Sequence, residues 1–188
     1  MDWILASASP RRKELLAEVI ENFQIMPAVG EEIVEGNPDP QTLVKILARQ
    51  KAAEVASRAG MENKAVLGAD TVVALGNEVL GKPKDEADAF RMLQALSGRE
   101  HQVHTGVCIL FPEKCGKRTE RTEAACTNVY FNELSSEQIA AYIATGSPMD
   151  KAGAYGIQDG GLVERIEGSF SNVVGLPIEL VKRMVSDV

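Results

Sequence analysis

The stretch KAVLGADTVVAL, residues 64–75, decides the fold class together with GNEVL, residues 76–80, which follows it. The first segment is apolar and rich in β-branched residues, so it predicts a strand. The Gly-Asn pair and the short apolar run after it predict a hairpin return. The rest of the chain alternates strands with helices, which is typical of α/β proteins. Because the hairpin adds an antiparallel pair, the sequence predicts an α/β fold with a mixed sheet.

Strands and helices alternate on both sides of this hairpin. Further strands are predicted at residues 2–6, 23–29, 100–111, 118–131 and 162–168. Helices are predicted at residues 10–19, 40–59, 84–98, 135–146 and 177–185. The glycine-rich run DKAGAYGIQDGG, residues 150–161, is expected to form a loop. Since no linker, repeat or low-complexity segment divides the chain, residues 1–188 are expected to form a single domain.

Composition and charge argue against a nucleic-acid-binding protein, a membrane protein and a disulfide-linked protein. The chain has 188 residues, 45% hydrophobic residues and a net charge of -7. An acidic chain argues against stable nucleic-acid binding, because such proteins usually present a basic surface. The apolar runs are too short to cross a bilayer, so no membrane association is expected. Cys108, Cys115 and Cys126 are odd in number and form no C-x-x-C pair, which favours a reduced, cytoplasmic protein over a disulfide framework.

The stretch SASPRR, residues 7–12, stands at the start of the first predicted helix. Ser9 is a favoured N-cap residue and Pro10 suits the first helical position. Arg11 and Arg12 follow at once, although the amino end of a helix is already electropositive. Guanidinium groups, serine hydroxyls and free backbone N–H groups together suit phosphate oxygens. The stretch is therefore interpreted either as a phosphate-binding turn or as a solvated basic turn.

Lys51 occupies an unusual position in the predicted helix at residues 40–59. Leu43, Leu47 and Val55 share its face, and these apolar residues mark that face as inward. Lysine is rarely buried without a partner. Either the ammonium meets a partner in a cleft, or the aliphatic stem packs inward while the ammonium reaches water.

Several other residues are candidates for catalysis or ligand binding, but their sequence pattern alone leaves more than one role open. Asp70 lies in an apolar strand, where aspartate is disfavoured, and is either a base or metal ligand at a cleft edge or a strand break. Lys82, between a glycine and a proline, is held rigidly enough to face phosphate charge. The amide of Gln158 either reads the edge of a base or is an ordinary loop side chain. Glu31 and Glu32 follow a strand and either hold a divalent cation or form a surface turn.

Together these stretches resemble the Maf proteins, nucleoside triphosphate pyrophosphatases related to the inosine triphosphatase fold. The resemblance rests on LASASPRRKELL, GADTVV, GKP, LSGREHQVHTG, DKAGAYGIQ and NVVGLP, which stand in the family's order. It implies an elongated, twisted mixed sheet with flanking helices and two lobes around a central cleft. It also implies a homodimer.

The same resemblance implies a reaction, a cofactor and a class of substrate. The expected reaction is hydrolysis of a nucleoside triphosphate to the monophosphate and pyrophosphate, a house-cleaning activity. The expected cofactor is a divalent cation, Mg²⁺ first, with Mn²⁺ or Co²⁺ as alternatives. The GADT and GIQ forms resemble the branch of the family that acts on dTTP and UTP, and CTP or modified pyrimidine nucleotides are further expected substrates.

Roles for individual residues also follow from the resemblance. Asp70 matches the family's proton acceptor, and Glu31, Lys51 and Lys82 match further catalytic positions. Glu31 and Asp70 are the expected metal ligands, with Glu31 preferred over Glu32. The residues expected to bind substrate are Ser7, Ser9, Arg12 and, at positions tied to base choice, Arg11, Thr71 and Gln158.

Two other functions compete with this one on sequence alone. A nucleotide-binding regulator without catalysis would not need Asp70, Glu31, Lys51 and Lys82 all together, so their presence favours an enzyme. A phosphomonoesterase would release orthophosphate in place of pyrophosphate. Within the favoured reaction, an ordinary carboxylate is a weak base at neutral pH. Asp70 therefore either deprotonates the water that attacks the α-phosphorus or mainly holds the metal.

Overall fold

In the computed structural model, which describes residues 1–113 and 116–186, the chain forms a seven-stranded mixed sheet flanked by helices. The strands are β1 (Asp2–Leu5), β2 (Phe23–Ile25), β3 (Lys64–Leu75), β4 (Glu78–Leu80), β5 (Glu100–Leu110), β6 (Glu120–Phe131) and β7 (Val163–Glu167). The helices are α1 (Pro10–Ala17), α2 (Pro40–Ala56), α3 (Glu86–Leu96), α4 (Ser136–Ala144), α5 (Phe170–Val174) and α6 (Ile178–Ser186). The sheet order is β2-β1-β3-β5-β6-β7, and β4 pairs with β3.

The predicted α/β fold with a mixed sheet is confirmed. β1 is parallel to β2 and β3, whereas β3, β5, β6 and β7 pair antiparallel in turn. The predicted hairpin is also present, because β4 folds back antiparallel on the end of β3. The helix predicted at residues 135–146 is present as α4, and it begins with a complete capping box, in which the Ser135 and Gln138 side chains each accept from the other residue's backbone N–H.

Some predicted boundaries are wrong. The second strand was expected to run over 23–29 but ends at Ile25, just before Pro27, which has no N–H for a sheet hydrogen bond. α5 was not predicted, because its five residues are too few to show a helical period. The expected loop over 150–161 is present, but it includes short 3₁₀ turns at Ala152–Ala154 and Ile157–Asp159.

β3 has two different neighbours along one of its edges, and this opens the cleft. It pairs with β1 as far as Leu67 and with β4 from Val73 onward. Among the described strands, none pairs with residues 68–72 on that edge. The opposite edge is paired with β5 over the same residues. Asp70 and Thr71 therefore stand where the sheet is open on one side and rigidly held on the other.

The apolar core divides on either side of this opening. One lobe has a cluster on each face of the sheet, because neighbouring β1 residues point to opposite faces: Trp3 and Leu5 toward one cluster, Ile4 and Ala6 toward the other. α2 covers the second of these clusters. The other lobe has its own cluster, built from the end of β3, β4, α3, α4 and Tyr155. Two lobes around a central cleft were expected and are observed.

Two glycines bring α2 directly against the sheet. A Cβ on Gly68 would lie 2.7 Å from the backbone nitrogen of Ala52, and one on Gly106 would lie 2.8 Å from that of Lys45. Both contacts are with the helix backbone, so no side chain could adjust to make room. This close approach sets the distance between the helix that carries Lys51 and the strand that carries Asp70.

The remaining sequence expectations concern cysteines and membranes. Cys108 is buried and Cys126 is exposed, and both are free thiols. Cys115 lies outside the described residues. Over residues 1–113 and 116–186, no helix combines the length and the apolar character that a membrane crossing requires.

Candidate active site

A cavity of about 570 Å³ lies between the two lobes. Its polar and charged lining residues, here called the charged wall, are Ser9, Arg11, Arg12, Glu32, Lys51, Asp70, Thr71, Lys82, Asp150, Lys151 and Gln158. Apolar residues line it as well: Leu47, Val72, Val73, Val103, Ile157, Val173 and Val174. A second hollow of about 410 Å³ shares part of the charged wall and adds Ala6, Ser7, Ala8, Pro10, Pro27 and Ala28. The charged wall suits phosphates, and the apolar side chains suit the flat faces of a base.

Lys51 and Asp70 form the centre of the charged wall. The Lys51 ammonium contacts the Asp70 carboxylate and lies 2.9 Å from an oxygen of Glu32. The side chains of Lys51 and Asp70 are 20% and 14% exposed, so both groups are largely withdrawn from water. Of the two interpretations of Lys51, the structure favours the one in which the ammonium meets an acidic partner in a cleft.

The structure places Glu32, and not Glu31, at the cavity. Both residues are exposed, but Glu32 lines both hollows and Glu31 lines neither. The segment that carries them is fixed to α2, because the Ile33 N–H donates to the Gln50 side chain at 3.0 Å. The sequence preference for Glu31 stays a prediction, which this geometry does not favour. The segment is irregular, so no strand or helix period could have told which of the two side chains turns inward.

Arg12 is anchored by contacts from three separate segments of the chain. Its Nε donates to the Gly175 carbonyl at 2.8 Å, and Nη2 donates to the Thr71 hydroxyl at 3.1 Å. Nη1 donates to the buried Ser7 hydroxyl at 3.4 Å. Ser9 caps α1 as predicted, its hydroxyl accepting from the backbone of Arg12. Burial lowers the pKa of Arg12, and the carboxylate of Asp70 opposes this effect only in part.

Arg11 is held differently, by an ion pair across the mouth of the cleft. Its Nη1 lies 3.2 Å from a carboxylate oxygen of Asp150, which stands in a 3₁₀ turn of the other lobe. The other Asp150 oxygen accepts from Lys151 at 2.8 Å. Burial alone would raise the pKa of Asp150, but hydrogen bonds and charge from Lys151 and Arg11 bring it below its usual value. Asp150 therefore places a negative charge in a cleft that is otherwise rich in cations.

The remaining predicted residues also line the cavity. Lys82 and Gln158 are exposed and line it, on neighbouring segments that a backbone hydrogen bond from Gly153 to Gly81 joins. The turn that carries Gln158 is fixed by Asp159, whose carboxylate accepts from the Tyr142 hydroxyl at 2.5 Å and from the Ser147 hydroxyl at 2.7 Å. The structure thus brings together every predicted site residue except Glu31.

Sequence reasoning missed Asp150 and Lys151. Both stand at the start of the glycine-rich run 150–161, which was treated as a loop around Gln158. A charged pair directly before such a run was the available signal. It was not decisive, because charged residues at a loop entry usually face water.

Two carboxylates in this cleft fit a divalent cation. Asp70 and Glu32 both bind the Lys51 ammonium, so their oxygens lie near one another. Mg²⁺ usually takes one or two carboxylates and completes its coordination with water and substrate phosphates. No cluster of three or more His, Cys, Asp or Glu suited to a metal occurs among residues 1–113 and 116–186. The two carboxylates therefore fit a Mg²⁺ ion whose other ligands are water and substrate phosphates.

Comparison with known proteins shows the family of the chain. The family model described as Maf-like protein matches residues 2–188. A Thermococcus kodakarensis protein named dTTP/UTP pyrophosphatase is 51% identical over 185 residues, covering 96% of this chain and 94% of that protein. An Agathobacter rectalis protein of the same name is 48% identical over 188 residues, covering 93% and 91%.

Similarity to solved structures supports the fold of this chain and not its function. The Staphylococcus aureus Ham1 protein matches with a TM-score of 0.55 at 15% identity, covering 100% of this chain and 99% of that one. A HAM1 protein from Coxiella burnetii matches with a TM-score of 0.54 at 15% identity, covering 100% of both chains. With the family model matched over nearly the whole length and close relatives at about half identity, this chain belongs to the Maf family.

Proposed function

We propose that this Maf protein hydrolyses dTTP and UTP to the monophosphates and pyrophosphate. The observation that carries the proposal is the contact of Asp70 with Lys51, in a cleft whose wall also holds Arg11, Arg12 and Lys82. The names of its relatives, dTTP/UTP pyrophosphatase, support the choice of these two nucleotides. CTP and modified pyrimidine nucleotides are further candidates.

The charged wall accounts for binding and for charge stabilisation. Arg11, Arg12 and the Ser9 end of α1 hold phosphate oxygens, for which planar guanidinium groups and helix N-termini are well suited. Lys51 and Lys82 offset the negative charge that develops on the transferred phosphoryl group and on the leaving pyrophosphate. A divalent cation held by Asp70 and Glu32 would supply further charge neutralisation when bound.

Asp70 is the proposed proton acceptor for the attacking water. The water oxygen forms a bond to the α-phosphorus, and the bond from that phosphorus to the oxygen bridging the α- and β-phosphates breaks. The water proton passes to the carboxylate, and pyrophosphate leaves with the bridging oxygen. Lys51 holds the carboxylate in place, because its ammonium contacts Asp70 directly.

Gln158 is the proposed reader of the base. Its amide offers both a donor and an acceptor, which match the alternating groups on the edge of uracil or thymine. It lines the same cavity as the apolar side chains that would pack on the ring. A site built on such hydrogen bonds discriminates against bases that leave its groups unpaired. The homodimer and the cytoplasmic location stay predictions.

The experiment that tests the function is pyrophosphate release over a panel of dTTP, UTP, CTP, GTP and 7-methyl-GTP with Mg²⁺. We expect dTTP and UTP to be the best substrates, and Gln158→Ala to reduce their advantage over GTP. Binding without any release would indicate a nucleotide-dependent regulator, and orthophosphate as the product would indicate a phosphomonoesterase. An unchanged ratio of dTTP to GTP turnover in Gln158→Ala would remove Gln158 from base selection.

A further inference from the structure

One tyrosine hydroxyl holds both ends of the turn that carries Gln158. The Tyr142 hydroxyl on α4 accepts from the Gly156 backbone N–H at 3.0 Å and donates to the Asp159 carboxylate at 2.5 Å. The Asp159 N–H closes the turn by donating to the Gly156 carbonyl at 3.1 Å. Gly156, Ile157 and Gln158 line the cavity, whereas Tyr142 and Asp159 line neither hollow. The hydroxyl therefore fixes a segment of the cavity lining from outside the cavity.

Ser147 anchors the same carboxylate a second time. Its hydroxyl donates at 2.7 Å to the Asp159 oxygen that also accepts from Tyr142. Lys151 fixes Ser147 in turn, since its ammonium donates to the Ser147 hydroxyl at 3.0 Å and to the Ser147 carbonyl at 2.6 Å. A serine hydroxyl can accept from one group while it donates to another, so these bonds are compatible. Asp159 is thus tied both to α4 and to the 3₁₀ turn at Ser147–Asp150.

The protonation states of Tyr142 and Asp159 suit these bonds. Burial and the Asp159 carboxylate raise the pKa of Tyr142, so the phenol keeps the proton that it donates. Burial alone would raise the pKa of Asp159, but hydrogen bonds from Tyr142 and Ser147 bring it below its usual value. At neutral pH the carboxylate is therefore ionised, and hydrogen bonds to an ionised acceptor are stronger than neutral ones.

The residues that follow the turn have no side chains to stiffen it. Gly160 and Gly161 each have a φ of +74°, and a Cβ on either would meet no atom within 4 Å. Glycine allows many backbone conformations, so this end of the turn depends on bonds to other segments. The Gln158 amide has no hydrogen-bond partner among the described residues. Its direction in the cavity therefore depends on the backbone of the turn.

We infer that Tyr142, Ser147 and Asp159, here called the clamp, are positioning residues that set base preference through Gln158, although none of the three lines the cavity. The inference rests on the proposed function, in which Gln158 reads the base, and deepens it. A hydrogen-bonding site discriminates when its groups are held in one geometry, because an amide that moves can pair with other bases as well. Loss of the clamp should therefore reduce base preference and leave phosphate binding intact.

The test measures base preference and phosphate binding separately. Tyr142→Phe keeps the ring and removes the hydroxyl, and Asp159→Ala removes the acceptor. Asp159→Asn removes the charge but keeps one oxygen, which suffices because both hydroxyls bond the same carboxylate oxygen. With Mg²⁺ present, calorimetry measures binding of UMP, GMP and inorganic pyrophosphate, and kinetics measure kcat/KM for UTP, dTTP and GTP. Tyr130→Phe is the matched control, because Tyr130 lies on β6, lines neither hollow and bonds Glu167 at 3.3 Å.

We expect Tyr142→Phe and Asp159→Ala each to lower the ratio of kcat/KM for UTP to that for GTP about fivefold, as loss of a well-placed hydrogen bond does. The ratio of UMP to GMP affinity should fall by a similar factor. Pyrophosphate affinity should stay within about twofold of the wild type. Asp159→Asn should keep most of the preference, and the control should match the wild type. In a Gln158→Ala background, Tyr142→Phe should change the ratio no further, because the clamp acts through that amide.

Unchanged ratios in Tyr142→Phe and Asp159→Ala would overturn the inference, and so would a further fall in the Gln158→Ala background. Equal losses in Asp159→Asn and Asp159→Ala would assign the effect to charge and overturn the positioning role. A matching loss of pyrophosphate affinity would show that the clamp supports the whole site and not base preference. If Tyr142→Phe fails to fold, the variants of Asp159, which is exposed, still decide.

Binding of monophosphates needs no turnover, so it separates this inference from the proposed reaction. A wild type that prefers UMP to GMP but releases no pyrophosphate contradicts the proposed reaction alone, and the clamp is then judged on the binding ratio. A wild type that shows no preference in binding or in turnover contradicts base reading by Gln158 and this inference with it.

Discussion

Lys51 on α2 contacts the carboxylate of Asp70 on β3, although 19 residues separate them in the chain. The contact depends on the close packing of the helix on Gly68, two residues before Asp70. It also depends on the opening of the sheet, since the edge of β3 has no strand partner at residues 68–72 among the described strands. The Lys51–Asp70 pair therefore lies in a cleft although both residues belong to regular elements, α2 and β3.

The Asp70→Asn variant should keep nucleotide binding and lose turnover. Asparagine retains the shape of the side chain but accepts no proton, so kcat should fall by about a hundredfold or more. Pyrophosphate release measured against Mg²⁺ concentration separates the two roles considered for Asp70. If Asp70 is the proton acceptor, added Mg²⁺ should not recover the kcat that Asp70→Asn loses. If Asp70 is mainly a metal ligand, high Mg²⁺ should recover part of that kcat. A near-normal kcat would remove Asp70 from the reaction.

Glu32→Gln and Glu31→Gln form a matched pair of variants on adjacent residues. Both are exposed, but Glu32 is 2.9 Å from the Lys51 ammonium and lines both hollows, whereas Glu31 lines neither. Glu32→Gln should raise the Mg²⁺ concentration needed for half-maximal activity and lower kcat/KM by about tenfold or more. Glu31→Gln should stay near the wild type. The reverse result would restore the sequence preference for Glu31.

Asp150→Asn should strengthen phosphate binding. A carboxylate oxygen of Asp150 forms an ion pair with Nη1 of Arg11 at 3.2 Å and adds a negative charge to the cleft. The carboxylate therefore competes with substrate phosphates for the guanidinium. Its removal should lower the Kd of pyrophosphate several-fold at low ionic strength and less at high salt. Stability should hardly change, because an exposed ion pair contributes little. Weaker binding in Asp150→Asn would mean that the carboxylate orients Arg11 for the substrate.

The fold and most of the site were predictable because they follow local patterns and motif order. The alternation of elements and the hairpin after β3 gave the mixed sheet, and the face of the predicted helix at 40–59 singled out Lys51. The choice between Glu31 and Glu32 was not predictable, since their segment is irregular and is fixed by a long-range bond to Gln50. Asp150 was missed for a related reason, because only the folded chain brings it across the cleft to Arg11.

Gly68→Ala should destabilise the fold and disturb the site together. A Cβ at this position would lie 2.7 Å from the backbone nitrogen of Ala52, so α2 would have to move away from β3. We expect a loss of roughly 1–3 kcal/mol in the free energy of unfolding, typical of overpacking, and a lower kcat as Lys51 moves. Gly81→Ala is the stability control, because a Cβ there meets no atom within 4 Å. Equal urea midpoints for the two variants would contradict the close packing of helix and strand.

The buried His101 should make the protein less stable in mild acid. It is 2% exposed, and its Nε2 lies 2.7 Å from the Tyr155 hydroxyl. Burial lowers the pKa of His101 from 6.5 to about 4. Between these pH values His101 is protonated in the unfolded chain and neutral in the folded chain. The contribution of His101 to the free energy of unfolding is therefore complete above about pH 6.5 and is lost progressively as the pH falls toward about 4.

Urea unfolding of the wild type and of His101→Gln measures this loss. Between about pH 7.5 and about pH 5, the wild type should lose roughly 2 kcal/mol more than the variant, whose side chain does not titrate. The comparison cancels the titration of carboxylates, which both proteins share. It also cancels His104, whose pKa is lowered by burial in the same direction. Parallel stability curves for the two proteins would show that His101 takes up a proton without leaving its packed position.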